Sequence, residues 1–336
     1  MTSRIAINGF GRIGRLAFRH LMRADDLEIA GLNDLGDLEN LAYLLAHDSA
    51  HDPPAVEVEA GDGVLRFGDR EVPFVSETDP SNLPWSEMEV DTVIEATGAF
   101  TDREGASKHL EAGADRVLIS APGKGADVTI CMGVNEEVYD PQRHRIVSNA
   151  SCTTNCLAPV AKVLDDSFGL VNGFLTTVHG VTSSQALIDS PHKKWRRGRS
   201  ALASIVPTTT GAAVATTDVL PELEGKMDGM AMRVPVITGS IIDFVARLES
   251  SVSTESVNEA FRRAANSEAM EGILGVSDEE LVSVDIIGSP YSALVDAPST
   301  RVVGDDTVKV LAWYDNEWGY AQRVIDLARY LGERSD

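Results

Sequence analysis

A chain of 336 residues, 43% hydrophobic and 24% charged, is that of a soluble globular protein long enough for two domains, each with its own core. Its 29 basic and 52 acidic residues leave a net charge of −23, which repels nucleic acid and anionic membranes. No apolar run approaches membrane-spanning length and no apolar signal region precedes the first strand, so neither a membrane partner nor export is expected.

Arg4 to Asn8 reads as a short buried strand, followed at once by Gly9-Phe10-Gly11-Arg12-Ile13-Gly14, a G-x-G-x-x-G match. Ile13, Leu16, Ala17, His20 and Leu21 then recur at helical spacing. Gly9 permits a tight turn, Gly11 lets a pyrophosphate approach the backbone, and Gly14 lets helix and strand pack closely. The helix start supplies N–H donors to the phosphates. A second strand, Leu27 to Leu32, leads to Asp34, twenty residues beyond Gly14. A carboxylate there can bind the ribose hydroxyls of NAD and repel a 2′-phosphate.

A helix over Leu38 to Ala46 is followed by strands at Val56–Val58 and Val64–Phe67 around a Gly61-Asp62-Gly63 turn. A buried strand over 92–98, a helix over Arg103–Ala112 and a strand over Arg116–Ser120 complete a β-α-β alternation. That alternation implies a parallel sheet with ligand at its carboxyl ends, where Thr97, Gly98 and Ser120 lie.

Ile146-Val147 then leads into Ser148-Asn149-Ala150-Ser151-Cys152-Thr153-Thr154-Asn155-Cys156. Leu157, Val160, Ala161, Leu164 and Phe168 lie beyond it at helical spacing. Cys152 should therefore sit where a strand gives way to a helix, and unpaired N–H groups with the helix dipole favour a thiolate there. Two readings stand at this point, a nucleophile and a small buried hydrophobe. Cys156, one turn later, reads as packing, and no role is read for Cys131. Three cysteines cannot build a disulfide framework in a chain this size, so reduced thiols and the cytoplasm are expected. No His/Cys/Asp cluster has metal-ligand spacing.

Pro159 should kink the helix and Gly169 should end it. A long strand from Val171 stops at His179. Residues 180–203 are polar, basic and aperiodic, with Lys193, Lys194, Arg196, Arg197 and Arg199 the densest positive cluster in the chain. An ordered loop of that length and sign in so acidic a protein reads as an anion site. Pro207-Thr208-Thr209-Thr210-Gly211 reads as opening another helix. Strands at 230–234, 241–248, 282–287 and 308–314, with a helix over 254–266, suggest an antiparallel sheet with helices on one face. Tyr314 to Tyr320 reads as the start of the last helix.

Together Asn8–Arg15, Ser148–Cys156, Pro207–Ala212 and Tyr314–Tyr320 resemble phosphorylating glyceraldehyde-3-phosphate dehydrogenases, and the likeness spans nearly the whole chain. The resemblance implies a Rossmann-type doubly wound parallel sheet over residues 1–150 and 317–336 that binds NAD. It implies a second α/β domain with a mostly antiparallel sheet, carrying the chemistry, over 151–316. It puts Cys152 at the nucleophile, His179 at the acid–base partner, and Arg12, Ile13, Asp34, Ser120 and Asn316 at cofactor positions. Thr182, Arg197, Thr210, Gly211 and Arg233 fall where the substrate phosphate or the attacking phosphate is held, and Ser151 and Thr153 flank the nucleophile. The family is usually a homotetramer.

Three positions depart from the pattern. Thr78 stands where arginine is frequent, Ser184 where aspartate is frequent, and Ser190-Pro191 replaces a leucine-proline pair near the adenosine ribose, which leaves NADP use open beside Asp34. The alternatives are an erythrose-4-phosphate dehydrogenase and a non-catalytic NAD-binding redox sensor. The charge adds one expectation, a halophilic source. At about 1 M salt the Debye length is roughly 3 Å, so so acidic a surface no longer repels itself.

Overall fold

The structure, a computed structural model, describes residues 2–334. Met1, Ser335 and Asp336, which the sequence reading placed in the first domain, lie outside them. The chain divides into two units, one of residues 1–130, 136–150 and 321–336, the other of 131–135 and 151–320. Residues 131–135 and 317–320 go with the second unit by this division.

The first unit begins β1 (Ser3–Asn8), α1 (Arg12–Leu21), β2 (Leu27–Asn33) and α2 (Leu38–Ala46). It continues β3 (Val58–Ala60), β4 (Val64–Phe67), β5 (Arg70–Val75), β6 (Thr92–Glu95), α3 (Arg103–Glu111), β7 (Arg116–Ile119), β8 (Val128–Thr129) and β9 (Ile146–Ser148). The strands form one sheet in the order β3-β4-β5-β2-β1-β6-β7-β9-β8. From β5 through to β8 every pairing is parallel, while β3, β4 and β5 meander antiparallel. β6 and β7 are buried at every residue, the mark of a parallel sheet covered on both faces.

The glycines of the first turn have different tasks. Gly9 has φ +95°, and a Cβ there would lie 2.6 Å from the Thr97 nitrogen. A Cβ on Gly14 would lie 2.0 Å from the Gly9 carbonyl oxygen, so only glycine lets α1 approach the turn this closely. At Gly11 a Cβ would meet nothing within 4 Å, so that side of the backbone faces open space.

The second unit holds α4 (Cys152–Phe168), β10 (Leu170–His179), β11 (Val206–Thr209), α5 (Ala212–Thr217), β12 (Met227–Arg233) and β13 (Ser240–Leu248). After these come α6 (Thr254–Ala265), β14 (Leu274–Ser277), β15 (Ala293–Asp296), β16 (Arg301–Val303), β17 (Thr307–Tyr314) and the start of α7 (Trp318–Glu333). Its sheet runs β11-β12-β10-β13-β17-β15-β14, with β16 on β17. The sheet is mixed: β10 pairs parallel with β12 and β14 with β15, and the other pairings are antiparallel. β13 and β17 alternate buried and accessible residues, as a sheet with one covered face requires. On the uncovered face Phe174, Met230 and Val245 stand exposed.

Three local readings need correction. Residues 282–287 form no strand but a 3-10 turn over Ser283–Ile286. Val282, Val284 and Ile287 are exposed there, and the Asp285 carboxylate accepts the Val282 N–H at 2.8 Å, closing the turn. Residues 207–209 belong to β11, paired with β12, and the helix begins only at Ala212. Tyr314 ends β17, and the last helix starts at Trp318, whose N–H is taken by the Asp315 carboxylate at 2.9 Å. α4 runs without interruption through Pro159 and ends at Gly169, φ +73°. Among the described residues no helix is long and apolar enough to cross a membrane, and no group of His, Cys, Asp and Glu could hold a metal ion.

Candidate active site

Ser151 caps α4. Its Oγ accepts the Thr154 N–H at 3.1 Å and its carbonyl accepts the Asn155 N–H at 2.9 Å. The N–H groups of Cys152 and Thr153 therefore remain at the helix mouth, where both act on the sulfur. Thr153 is tied elsewhere: its Oγ1 lies 2.9 Å from the Tyr314 hydroxyl, which is also 2.8 Å from Thr177 Oγ1. Tyr314 so locks the first turn of α4 to the end of β17 and to β10. Cys152 is half-buried, while Cys131 and Cys156 are buried, and all three are free thiols.

His179 closes β10, and its Nε2 lies 3.4 Å from Cys152 Sγ. On the other side of the ring, Nδ1 is 2.7 Å from the Gly180 carbonyl oxygen and 2.8 Å from Arg233 Nη1. Arg233 Nη1 also donates to that same carbonyl at 2.9 Å. With the ring proton on Nδ1 and donated to Gly180 O, the Nε2 lone pair faces the thiol. Burial, then the Arg233 charge, push the His179 pKa down to about 3, the Gly180 hydrogen bond resisting and Arg197 adding to the fall. Burial pushes the Cys152 thiol up, against the pull of Arg233 and of the Thr153 contacts. Both directions favour a neutral thiol beside a neutral imidazole in the free protein, where the helix start alone favours a thiolate.

A second cluster follows the aperiodic loop. Arg197, in the 3-10 turn Trp195–Gly198, donates through Nε to Thr208 Oγ1 at 2.9 Å and through Nη1 to Ser184 Oγ at 3.3 Å. Ser184 Oγ is in turn 2.8 Å from Thr182 Oγ1. Thr210 Oγ1 accepts the Ala212 N–H at 3.1 Å, and Gly211 precedes α5 with open space where a Cβ would stand. Arg233 sits opposite His179 in the β10–β12 register, so one sheet edge presents the ring and this guanidinium together. Asn316 is buried, its Oδ1 accepting from Ser240 at 2.6 Å and Thr238 at 3.3 Å.

In the first unit a cleft of about 340 Å³ lies over the carboxyl ends of the parallel strands, with Asn8, Gly9, Gly11, Asn33, Asp34 and Thr97 in its wall. The Asp34 carboxylate accepts the N–H groups of Phe10 at 2.6 Å and Gly36 at 2.7 Å. Thr78 lines the same cleft. Arg12, Ile13 and Ser120 do not: Arg12 donates to Asp48 at 2.6 Å, and Ser120 Oγ to the Glu95 carbonyl at 3.0 Å.

The sequence profile described as "Glyceraldehyde 3-phosphate dehydrogenase, NAD binding domain" matches residues 3–103, and that of the same family's C-terminal domain matches 151–316. Similar proteins include the glyceraldehyde-3-phosphate dehydrogenase of Geobacillus stearothermophilus, 53% identical over 99% of both chains. Glyceraldehyde-3-phosphate dehydrogenase 2 of Bacillus subtilis is 51% identical over 99% of this chain and 98% of the relative. That of Streptomyces coelicolor is 50% identical over 99% of this chain and 100% of the relative. The chain belongs to the glyceraldehyde-3-phosphate dehydrogenase family.

Membership makes it an NAD-dependent oxidoreductase acting on an aldehyde group. The cleft fits such a cofactor, since Gly11, whose backbone faces open space, lines it beside a carboxylate fixed by two N–H groups. Sequence reading missed Tyr314 as a group that holds the site. It was visible only as a strand or helix residue, because its partner Thr153 lies 161 positions away.

The charge state of the Cys152 thiol is open to direct measurement. In protein free of phosphate, iodoacetamide labelling of Cys152, located by peptide mass, should rise steadily with pH through the alkaline range. The thiolate fraction grows only as pH climbs through a raised pKa, and His179, neutral above about 3, adds no step near neutrality. A rate already at its plateau in mildly acid solution would contradict the neutral pair.

Proposed function

We propose that the chain oxidises D-glyceraldehyde 3-phosphate with NAD and inorganic phosphate to 1,3-bisphosphoglycerate. The observation that carries this reading is the 3.4 Å approach of Cys152 Sγ to His179 Nε2 beside Arg233. Sγ adds to the aldehyde carbon while its proton passes to Nε2, which returns it to the carbonyl oxygen to give a hemithioacetal; the Cys152 N–H stabilises the developing oxyanion. Bound NAD, held by the proposed cofactor set, would supply the hydride acceptor for that carbon. His179 takes the hydroxyl proton as the carbonyl re-forms, leaving a thioester on Cys152. A phosphate oxygen then attacks the thioester carbon, and the sulfur leaves as thiolate with the acyl phosphate as product.

Such a reaction needs two phosphate subsites. Thr182, Arg197, Thr210, Gly211 and Arg233 form the proposed set, with Ser184 and Thr208 added to it through Arg197. Ser151 and Thr153 flank the nucleophile and fix its helix. Gly9, Gly11, Arg12, Ile13, Gly14, Asp34 and Ser120 form the proposed cofactor set, with Asn316 for the carboxamide. Residues 1–150 and 317–336 are the proposed NAD-binding domain and 151–316 the catalytic domain.

The reading is tested by aldehyde-dependent reduction of NAD against NADP, with and without phosphate, on glyceraldehyde 3-phosphate and erythrose 4-phosphate. Fast, phosphate-dependent reduction of NAD on the triose is the expected result, with NADP slower because of Asp34. Cys152→Ala should lose turnover by at least about a thousandfold while still binding NAD, since no other group can carry the acyl chain. Retained turnover overturns the assignment of the nucleophile.

The finer readings are a cytoplasmic homotetramer from a salt-loving microbe. What supports assembly is apolar surface on so acidic a chain: Phe174, Met230 and Val245 on the bare sheet face, and Leu187, Ile188, Trp195, Leu202 and Ile205 around the basic loop. What supports the salt habit is the charge of −23. Raising KCl from dilute to about 1 M should raise the melting temperature and keep a mass of four chains in light scattering. An unchanged melting temperature rejects the salt reading, and a monomer mass in KCl rejects the tetramer.

A further inference from the structure

The last residues of three adjacent parallel strands form one polar row. Asn33 of β2 and Glu95 of β6 both stand beside Asn8 of β1 in register, and all three are buried. Asn8 and Asn33 also line the cleft proposed for NAD, as do Glu77 and Thr97. Glu95 does not line it, and its side chain is enclosed.

The hydrogen bonds of this row have a direction that can be deduced from its two ends. At one end the Glu77 N–H donates to Asn33 Oδ1 at 2.9 Å, so the other amide atom, Nδ2, is the donor; it donates to Asn8 Oδ1 at 2.7 Å. That fixes Asn8 Nδ2 as donor to Glu95 Oε2 at 2.6 Å. At the other end the Trp85 indole, which can only donate, gives its proton to His109 Nδ1 at 3.0 Å. His109 is then a neutral ring with its proton on Nε2, which faces Glu95 Oε2 at 3.2 Å. The other carboxylate oxygen accepts the Thr97 N–H at 2.8 Å and the Thr97 hydroxyl, whose own oxygen accepts from Ala99 N–H at 3.0 Å.

Four donors therefore converge on Glu95: Asn8 Nδ2, His109 Nε2, the Thr97 N–H and the Thr97 hydroxyl. Only a group that accepts at both oxygens satisfies them. A glutamine would set its NH₂ against Asn8 and His109 or against the two Thr97 donors, leaving buried donors unpaired either way.

We infer that Glu95, held by His109 and Trp85, is a positioning residue for the cofactor: it sets the rotamers of Asn8 and Thr97, and through Asn8 that of Asn33, in the wall of the NAD cleft. The inference rests on that cleft being the NAD site. It predicts an effect on cofactor affinity and none on the chemistry at Cys152, because no part of the relay contains a group of the proposed thiol mechanism.

The test is calorimetric titration of NAD into the full chain, paired with steady-state kinetics. Glu95→Gln should weaken NAD binding and raise its KM about tenfold, from two or more donors left unpaired, while kcat at saturating NAD stays within about twofold. Trp85→Phe touches no cleft residue, yet frees His109 to change tautomer, and should weaken NAD about threefold with kcat unchanged. The double variant should bind NAD no more weakly than Glu95→Gln alone, because the relay is already broken. A merely structural role for these residues gives independent, additive losses and lowers kcat with KM. NAD affinity of Glu95→Gln within about twofold of the unchanged protein, or additive effects, overturns the inference while leaving the NAD reading intact. If Glu95→Gln does not fold, the Trp85→Phe result decides alone. Failure of the unchanged protein to bind NAD overturns both readings.

Discussion

The first turn of α4 leaves N–H groups that nothing inside the helix can satisfy, and the way they are shared out shapes the reactive centre. Ser151 takes that of Thr154 through its hydroxyl, while its carbonyl accepts the first ordinary helical bond, from Asn155. Those of Cys152 and Thr153 act on Cys152 Sγ. The chain reaches that turn through Ala150, whose φ of +53° lies in the left-handed region that disfavours a side chain. The Ser148 hydroxyl meets the Ala150 N–H at 3.1 Å, so the bend is held by the strand it leaves. A substitution at Ser148 or Ser151 therefore acts on the sulfur without touching it.

The same logic of strand ends recurs in both units. Asn33, Asn8 and Glu95 end parallel strands, as His179 and Arg233 end a parallel pair in the second sheet. At the end of a parallel strand the ladder stops supplying partners, so polar side chains there are free to turn toward a ligand. In the first unit the row is uncharged apart from Glu95 and suits sugar and amide groups. In the second it carries the Arg233 guanidinium, which suits an anion.

Much of this was legible in the sequence. The strand–glycine–helix opening, the acid at Asp34, helix α2 to its residue limits and the stop of β10 at His179 follow from apolar period and glycine placement, which are local signals. The failures were of two physical kinds. Residues 282–287 alternate in hydropathy like a strand, but Asp285 folds them back onto Val282, and a side-chain hydrogen bond of that kind has no periodic signature. β14 and β15 went unread because each is four residues long and pairs only with distant partners. The site was legible as residue types, not as contacts. Nothing in the spacing of Trp85, Glu95 and His109 announces a relay, and the tie of Thr153 to Tyr314 joins opposite ends of the second unit.

The charge state of the Cys152–His179 pair also follows from ranking the causes. The helix start, which on sequence grounds favours a thiolate, contributes on the order of a kcal/mol at an exposed end. Burial outweighs it here, pushing the thiol up and the ring down at once. Arg233 acts in opposite senses on the two, favouring the thiolate and disfavouring the imidazolium, so the arginine that helps the nucleophile also prevents a stable ion pair. A phosphate dianion against Arg233 and Arg197 cancels that charge and removes both of its effects, but it does not restore water to the ring. Because burial is the larger cause for His179, the proton must leave the thiol as the carbon–sulfur bond forms, with Nε2 accepting it in place. The structure thus favours proton transfer during attack over a thiolate stored in advance.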